Sequence, residues 1–187
     1  MKQLYNAFEP VIPIFIMIFV VVIILFLFLN RKSGYKLNSK RRQFTMLIYI
    51  GMISTVVGMI LVTLIPAGYP NDSLQLVPFE SIIETWELAT TRAIINSLIM
   101  NVLLFVPFGF FLYLITRKEF LTTVAASLTS ILIEALQFIL PVGRGTNIDD
   151  VILNTVGGII GMLLGVLVLK LEIVYNIISK GNSSTKE

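Results

Sequence analysis

The sequence predicts an all-α, polytopic membrane helix bundle of about five transmembrane helices, with a short interfacial helix in its second outer-face connection. Three observations carry that prediction. Of 187 residues, 56% are hydrophobic and 13% charged, at a mean hydropathy of +0.91, a balance that no water-soluble domain of this size can hide in a core. Five stretches reach the roughly 20 apolar residues that a helix needs to cross the hydrocarbon layer. Basic residues collect in alternate connections, as the positive-inside rule requires of a multi-pass protein.

Span one covers about residues 10–29; its apolar run is too long for the core of a secretory signal and no small-residue cleavage site follows, so it reads as a retained span. The connection 30–43 carries Arg31, Lys32, Lys36, Lys40, Arg41 and Arg42 without an acid, which places it in the cytoplasm. Span two follows at 44–65. The outer connection 66–92 is acidic, with Asp72, Glu80, Glu84 and Glu87 against Arg92. Within it, Phe79, Ile82, Ile83 and Trp86 recur at helical spacing opposite the three glutamates, which predicts an amphipathic helix from Phe79 to Leu88 lying among the headgroups. That helix either bridges two spans or covers the polar groups described below.

Spans three and four, 93–116 and 120–140, form a hairpin around Arg117 and Lys118, and span five covers 150–169. Five spans put the N-terminus outside and the C-terminus in the cytoplasm. Eleven of the 14 Lys and Arg then fall on the cytoplasmic side, leaving Lys2, Arg92 and Arg144 outside. Residues 1–187 read as a single membrane domain with no internal repeat.

Several chemistries are excluded by residue type. The chain has neither Cys nor His, which removes disulfides, thiolate catalysis, the usual zinc sites and every His-based triad. No Gly-rich phosphate loop occurs, and nucleic acid is not an expected partner.

What remains is a polar cluster inside the predicted bundle. A charged side chain in a span costs several kcal/mol unless it is paired or hydrated. Glu134 lies about six residues, or ~9 Å, from the outer end of span four, with Gln137 one turn further out on the same face. Asn101 lies at ~12 Å in span three and is expected to meet Glu134. Asp149 and Asp150 open span five, and Asn154 shares a face with Asp150. Gly157, Gly161 and Gly165 continue that face as a small-residue series that lets another helix approach, and Gly158 widens it. The preceding loop, 141–147, places Arg144 within reach of these carboxylates. In span three, Pro107 and Gly109 predict a kink that frees a backbone carbonyl, and the surrounding phenylalanines read as packing.

The run Asn101-Val-Leu-Leu-Phe-Val-Pro-Phe-Gly109, then Glu134-Ala-Leu-Gln137, then Gly143-Arg144 and Ile148-Asp-Asp-Val-Ile-Leu-Asn-Thr-Val-Gly-Gly158 resembles the VanZ-like family of bacterial membrane proteins. The resemblance is close over 101–161, and Val77-Pro78-Phe79 looks like the family's Pro-Phe element ahead of span three. The first two spans match only in hydrophobicity. Family members often carry a further Asp where this chain has Asn147, which weakens a metal site built from three carboxylates. The resemblance implies a bacterial cytoplasmic-membrane location and, for the founding member, low-level resistance to glycopeptide antibiotics of the teicoplanin type.

Three functions are compatible with these residues. In the first, the outer pocket of Asn101, Glu134, Gln137, Arg144, Asp149, Asp150 and Asn154 binds a cell-envelope amphiphile: a membrane lipid, a lipid-linked wall precursor or the tail of a lipoglycopeptide antibiotic. The alternative is a membrane enzyme acting on a lipid-linked substrate, with Glu134 as candidate general acid or base and a divalent cation such as Mg²⁺ at Asp149 and Asp150. A small transporter is the third, although below Asn101 and Glu134 the spans offer little polar route. No cofactor is otherwise expected, and the sequence does not fix the oligomeric state.

Overall fold

The computed structural model describes Val20 and residues 40–64, 74–88, 98–140 and 145–184. Predicted span one apart from Val20, the basic connection up to residue 39 and Arg144 lie outside them. Among the described residues the order is α1 (Lys40–Leu64), β1 (Leu74–Gln75), α2 (Glu80–Leu88), α3 (Met100–Thr116), α4 (Glu119–Ile139), β2 (Thr146–Asn147) and α5 (Ile148–Ser184). The architecture is all-helical except for one two-residue parallel pairing, Leu74 opposite Thr146 and Gln75 opposite Asn147.

Among the described residues, three stretches are long and apolar enough to cross a membrane, namely Phe44–Leu64, Glu119–Ile139 and Ile148–Leu171. Helix α3 is as apolar but shorter, its 17 residues rising ~25 Å. These four helices occupy the predicted spans two to five, and α2 occupies the predicted interfacial helix. The apolar stretch of α5, Ile148–Leu171, agrees with the predicted span 150–169, and the helix itself continues beyond it to Ser184, 37 residues in all. Lys and Glu have helix propensities close to that of Leu, and no proline follows Leu169 to interrupt the helix. Charge marks where the helix can leave the apolar layer, whereas a breaker marks where it stops.

The bundle is organised around α3 and α5. A Cβ added to Gly157 would meet the Val102 carbonyl, one on Gly161 the Val106 carbonyl, and one on Gly165 the Tyr113 ring at 2.9 Å and the Phe110 carbonyl at 3.4 Å. Steps of four along α5 therefore meet steps of four along α3 in the same direction, so the two helices run parallel with their backbones almost touching. A Cβ on Gly109 would meet the carbonyl of Gly158 in the same way, and one on Gly158 would come within 2.5 Å of the Ala126 Cβ of α4. The predicted small-residue face is the seam of the fold.

Helix α3 continues through Pro107 from Met100 to Thr116. Proline has no N–H to give the Leu103 carbonyl, so one bond is lost inside an otherwise regular helix. Phe105 and Phe108 flank it, packed edge to face at 5.9 Å and 63°. With Met59, Ala126 and Ile133 they form the core shared by α1, α3 and α4. The phenylalanines are packing residues, as the sequence suggested.

Candidate functional site

The starts of α3 and α5 and the ends of α1 and α4 gather at one end of the bundle. Three contacts establish this: Gln137 Nε2 donates to the Thr63 carbonyl at 2.9 Å, Asn101 Nδ2 donates to Asp150 Oδ1 at 2.6 Å, and the Asn147 N–H ahead of α5 donates to Glu134 Oε2 of α4 at 3.0 Å. Thr63 lies in the last turn of α1, where a helix leaves carbonyls without intrahelical partners. Gln137 supplies one, and both side chains are buried.

Asn147 joins three elements. Its Oδ1 accepts the Asp149 N–H at 2.9 Å, which caps the first turn of α5 as Asn commonly does. Its Nδ2 donates to Ser81 Oγ on α2 at 2.7 Å, and its backbone N–H donates to Glu134 Oε2 at 3.0 Å. Thr146 Oγ1 reaches the Glu134 carbonyl at 3.3 Å, so the turn entering α5 is clasped to α4 twice. An Asp at position 147 could not make the donation to Ser81.

Asp149 is the most deeply buried charged group of the site, 1% exposed. Its two oxygens accept the Phe79 N–H at 2.5 Å and the Ile82 N–H at 3.1 Å, so it caps the start of α2 from the start of α5. Bonds of this kind are charge-assisted, and the positive end of the helix dipole adds to them. Phe79 adopts φ 67°, a left-handed conformation that costs roughly 1–2 kcal/mol for a residue with a Cβ. The turn it makes aims successive N–H groups at one carboxylate, and the two bonds offset the strain.

Asp149 and Asp150 therefore do different work. One turns to α2 and the other to α3, so these two neighbours diverge around α5. The expected meeting of Asn101 with Glu134 is replaced by Asn101 with Asp150, because parallel packing sets the starts of α3 and α5 side by side. One turn deeper, Asn154 Nδ2 donates to Ser130 Oγ at 2.9 Å, joining α5 to α4. Asn154 is 4% exposed, and its Oδ1 has no partner among the described residues.

Glu134, Gln137, Asn101, Asp149, Asp150 and Asn154 thus lie at one end of the bundle, bound mostly through intermediaries that sequence reasoning did not single out. Thr63, Ser81 and Ser130 are such intermediaries; each is an ordinary small polar residue with no spacing to mark it. Asn147 did carry a signal, an Asn immediately before an apolar run. Arg144 cannot be placed, since 141–144 fall outside the described residues.

Above the cluster lies an apolar ledge. Leu76, Val77, Phe79 and Ile83 are exposed, and Trp86 is 70% exposed. Glu80, Glu84 and Glu87 are exposed beside them. The whole 74–88 segment is held to the bundle by the strand pairing, Ser81 and Asp149.

Residues 14–169 match the family described as VanZ/LLP1. The match reaches well ahead of the motifs at 101–161, back into predicted span one. Among curated proteins, "Protein VanZ" of Enterococcus faecium is 39% identical over 100 residues, 52% of this chain. That alignment covers 55% of the relative, so the matched stretch spans about half of its length. No solved structure matches the chain.

Proposed function

The chain belongs to the VanZ/LLP1 family, and from that premise we propose that it is a multi-pass protein of the bacterial cytoplasmic membrane that contributes to low-level glycopeptide resistance of the teicoplanin type. In this reading the polar end faces the cell exterior, with the N-terminus outside and the C-terminus in the cytoplasm. The ledge of Leu76, Val77, Phe79, Ile83 and Trp86 receives the apolar part of an envelope amphiphile, either a lipid-linked wall precursor or the tail of the antibiotic. The groups beneath it, Asn101, Glu134, Asp150 and Asn154, together with Arg144, recognise the polar part.

One observation carries the reading: a buried carboxylate, Asp149, is used to fix an exposed amphipathic helix over a buried polar cluster. A helix needed only to bridge two spans requires no such anchor, since its apolar face would hold it among the headgroups. The unpartnered Asn154 Oδ1 adds a second support, because an acceptor left without a donor in a dry interior costs about 1–3 kcal/mol. A ligand or water that donates to it recovers that cost.

The experiment is a deletion strain tested against wall-active and membrane-active compounds, complemented with wild type and with Asp150→Asn, Arg144→Ala and Trp86→Ala. Loss of teicoplanin tolerance in the deletion strain, restored by wild type and not by these variants at equal expression, is the expected result. Full complementation by all three would remove the pocket from the account.

A further inference from the structure

At the opposite end of the bundle, α1 begins beside the end of α3, and between them lies a cavity of about 220 Å³ lined by Phe44, Thr45, Ile48, Tyr49, Leu114 and Arg117, with Ile115 beside them. Ile48 and Leu114 are buried at its base, and Phe44, Thr45, Tyr49 and Arg117 are exposed around it, so that polar surface and exposed aromatic rings lie side by side. Arg117 ends α3 in a left-handed conformation, φ 56°, its N–H closing on the Tyr113 carbonyl at 2.8 Å. The side chain is exposed and makes no ion pair among the described residues.

The surroundings favour an anion. Lys118 follows Arg117 and is exposed beside it, with Glu119 the one acid next to them in the chain. No acidic residue occupies the first turn of α1, whose partial positive end lies on this side. Tyr49 is nine residues into α1, ~14 Å from its start, so the cavity extends from headgroup depth toward the acyl region. Arg117 beside the exposed Phe44 and Tyr49 rings offers neighbouring partners to a charge and to an apolar chain, which a phospholipid combines and a soluble anion does not.

We propose that this cavity seats an anionic phospholipid of the leaflet on the basic side, Arg117 pairing with the phosphate and the first acyl carbons lying against Ile48 and Leu114. Basic pockets between membrane helices recognise such headgroups by charge together with a fitted apolar wall. The site lies at the end of the bundle away from the Asp149 cluster, and it does not depend on the function proposed for that cluster.

The test is native mass spectrometry of the full-length protein exchanged into mixed micelles containing equal phosphatidylglycerol and phosphatidylcholine. Wild type is expected to retain phosphatidylglycerol preferentially, and Arg117→Gly to lower that preference by about fivefold, the effect of one basic residue near an anionic surface. Glycine keeps the left-handed cap without strain, so the variant removes the side chain and not the turn. Arg117→Lys should retain most of the preference. Equal retention of the two lipids by wild type, an unchanged preference in Arg117→Gly, or release of the bound lipid by inorganic phosphate alone would each overturn the assignment.

Discussion

The carboxylate of Asp149 accepts the backbone N–H of Ile82 at 3.1 Å, tying the start of one helix to the start of another across 67 positions of chain. With the bond to Phe79, it makes Asp149 an N-cap supplied in trans by a different element. Asp149→Ala leaves both donors unpaired and should cost about 1–3 kcal/mol locally. The chain lacks cysteine, so a single Ile82→Cys reports directly on α2. Thiol labelling of that cysteine should be severalfold faster in the Asp149→Ala background; an unchanged rate would mean that other contacts hold α2.

Packing of α3 on α5 predicts graded costs along one stripe. Gly161→Ala drives a methyl into backbone, the Val106 carbonyl, and should destabilise by about 1–3 kcal/mol. Gly165→Ala meets first the ring of Tyr113, which can turn aside, and should cost less. Thermal unfolding of both variants in one detergent checks the order.

Gln137→Leu keeps the volume and removes the donor to the Thr63 carbonyl. The loss should be about 1–3 kcal/mol, read as a lower unfolding temperature. If the variant unfolds with wild type, the carbonyl has another donor and the clasp between α1 and α4 is dispensable.

The Ser130–Asn154 pair separates stability from function. Replacing one partner strands the other, but Ser130→Ala with Asn154→Leu removes both polar groups and should unfold within about 1 kcal/mol of wild type. Under the proposed function the double variant is stable and fails to complement the deletion strain. Stable and fully active protein would show that the pair only joins two helices.

Much of this was legible in the sequence, and the parts that were not share a cause. Runs of about 20 apolar residues located α1, α4 and α5 because lipid forces that length, and Phe79, Ile82, Ile83 and Trp86 located α2 because an amphipathic helix has that periodicity; predicted span one lies outside the described residues apart from Val20. The Gly157–Gly161–Gly165 series located the seam for the same reason. Partner choice has no such imprint. Asn101 was matched to Glu134 by depth alone, while the parallel α3 and α5 give it Asp150. Asp149 and Asp150 looked like one acidic pair because they are adjacent, yet ~100° of helical rotation separates them and sends each to a different neighbour. The β1–β2 pairing is two residues long, too short to leave an alternating pattern.

In the proposed function α2, fixed by Asp149, covers the polar cluster on the exterior face of the membrane. Labelling of single cysteines in intact cells with a membrane-impermeant maleimide tests it most directly, using Glu84→Cys on α2 and Lys118→Cys at the other end of the bundle. The account predicts that Glu84→Cys reacts in intact cells and Lys118→Cys only after permeabilisation. The reverse pattern would put the cluster in the cytoplasm and contradict it.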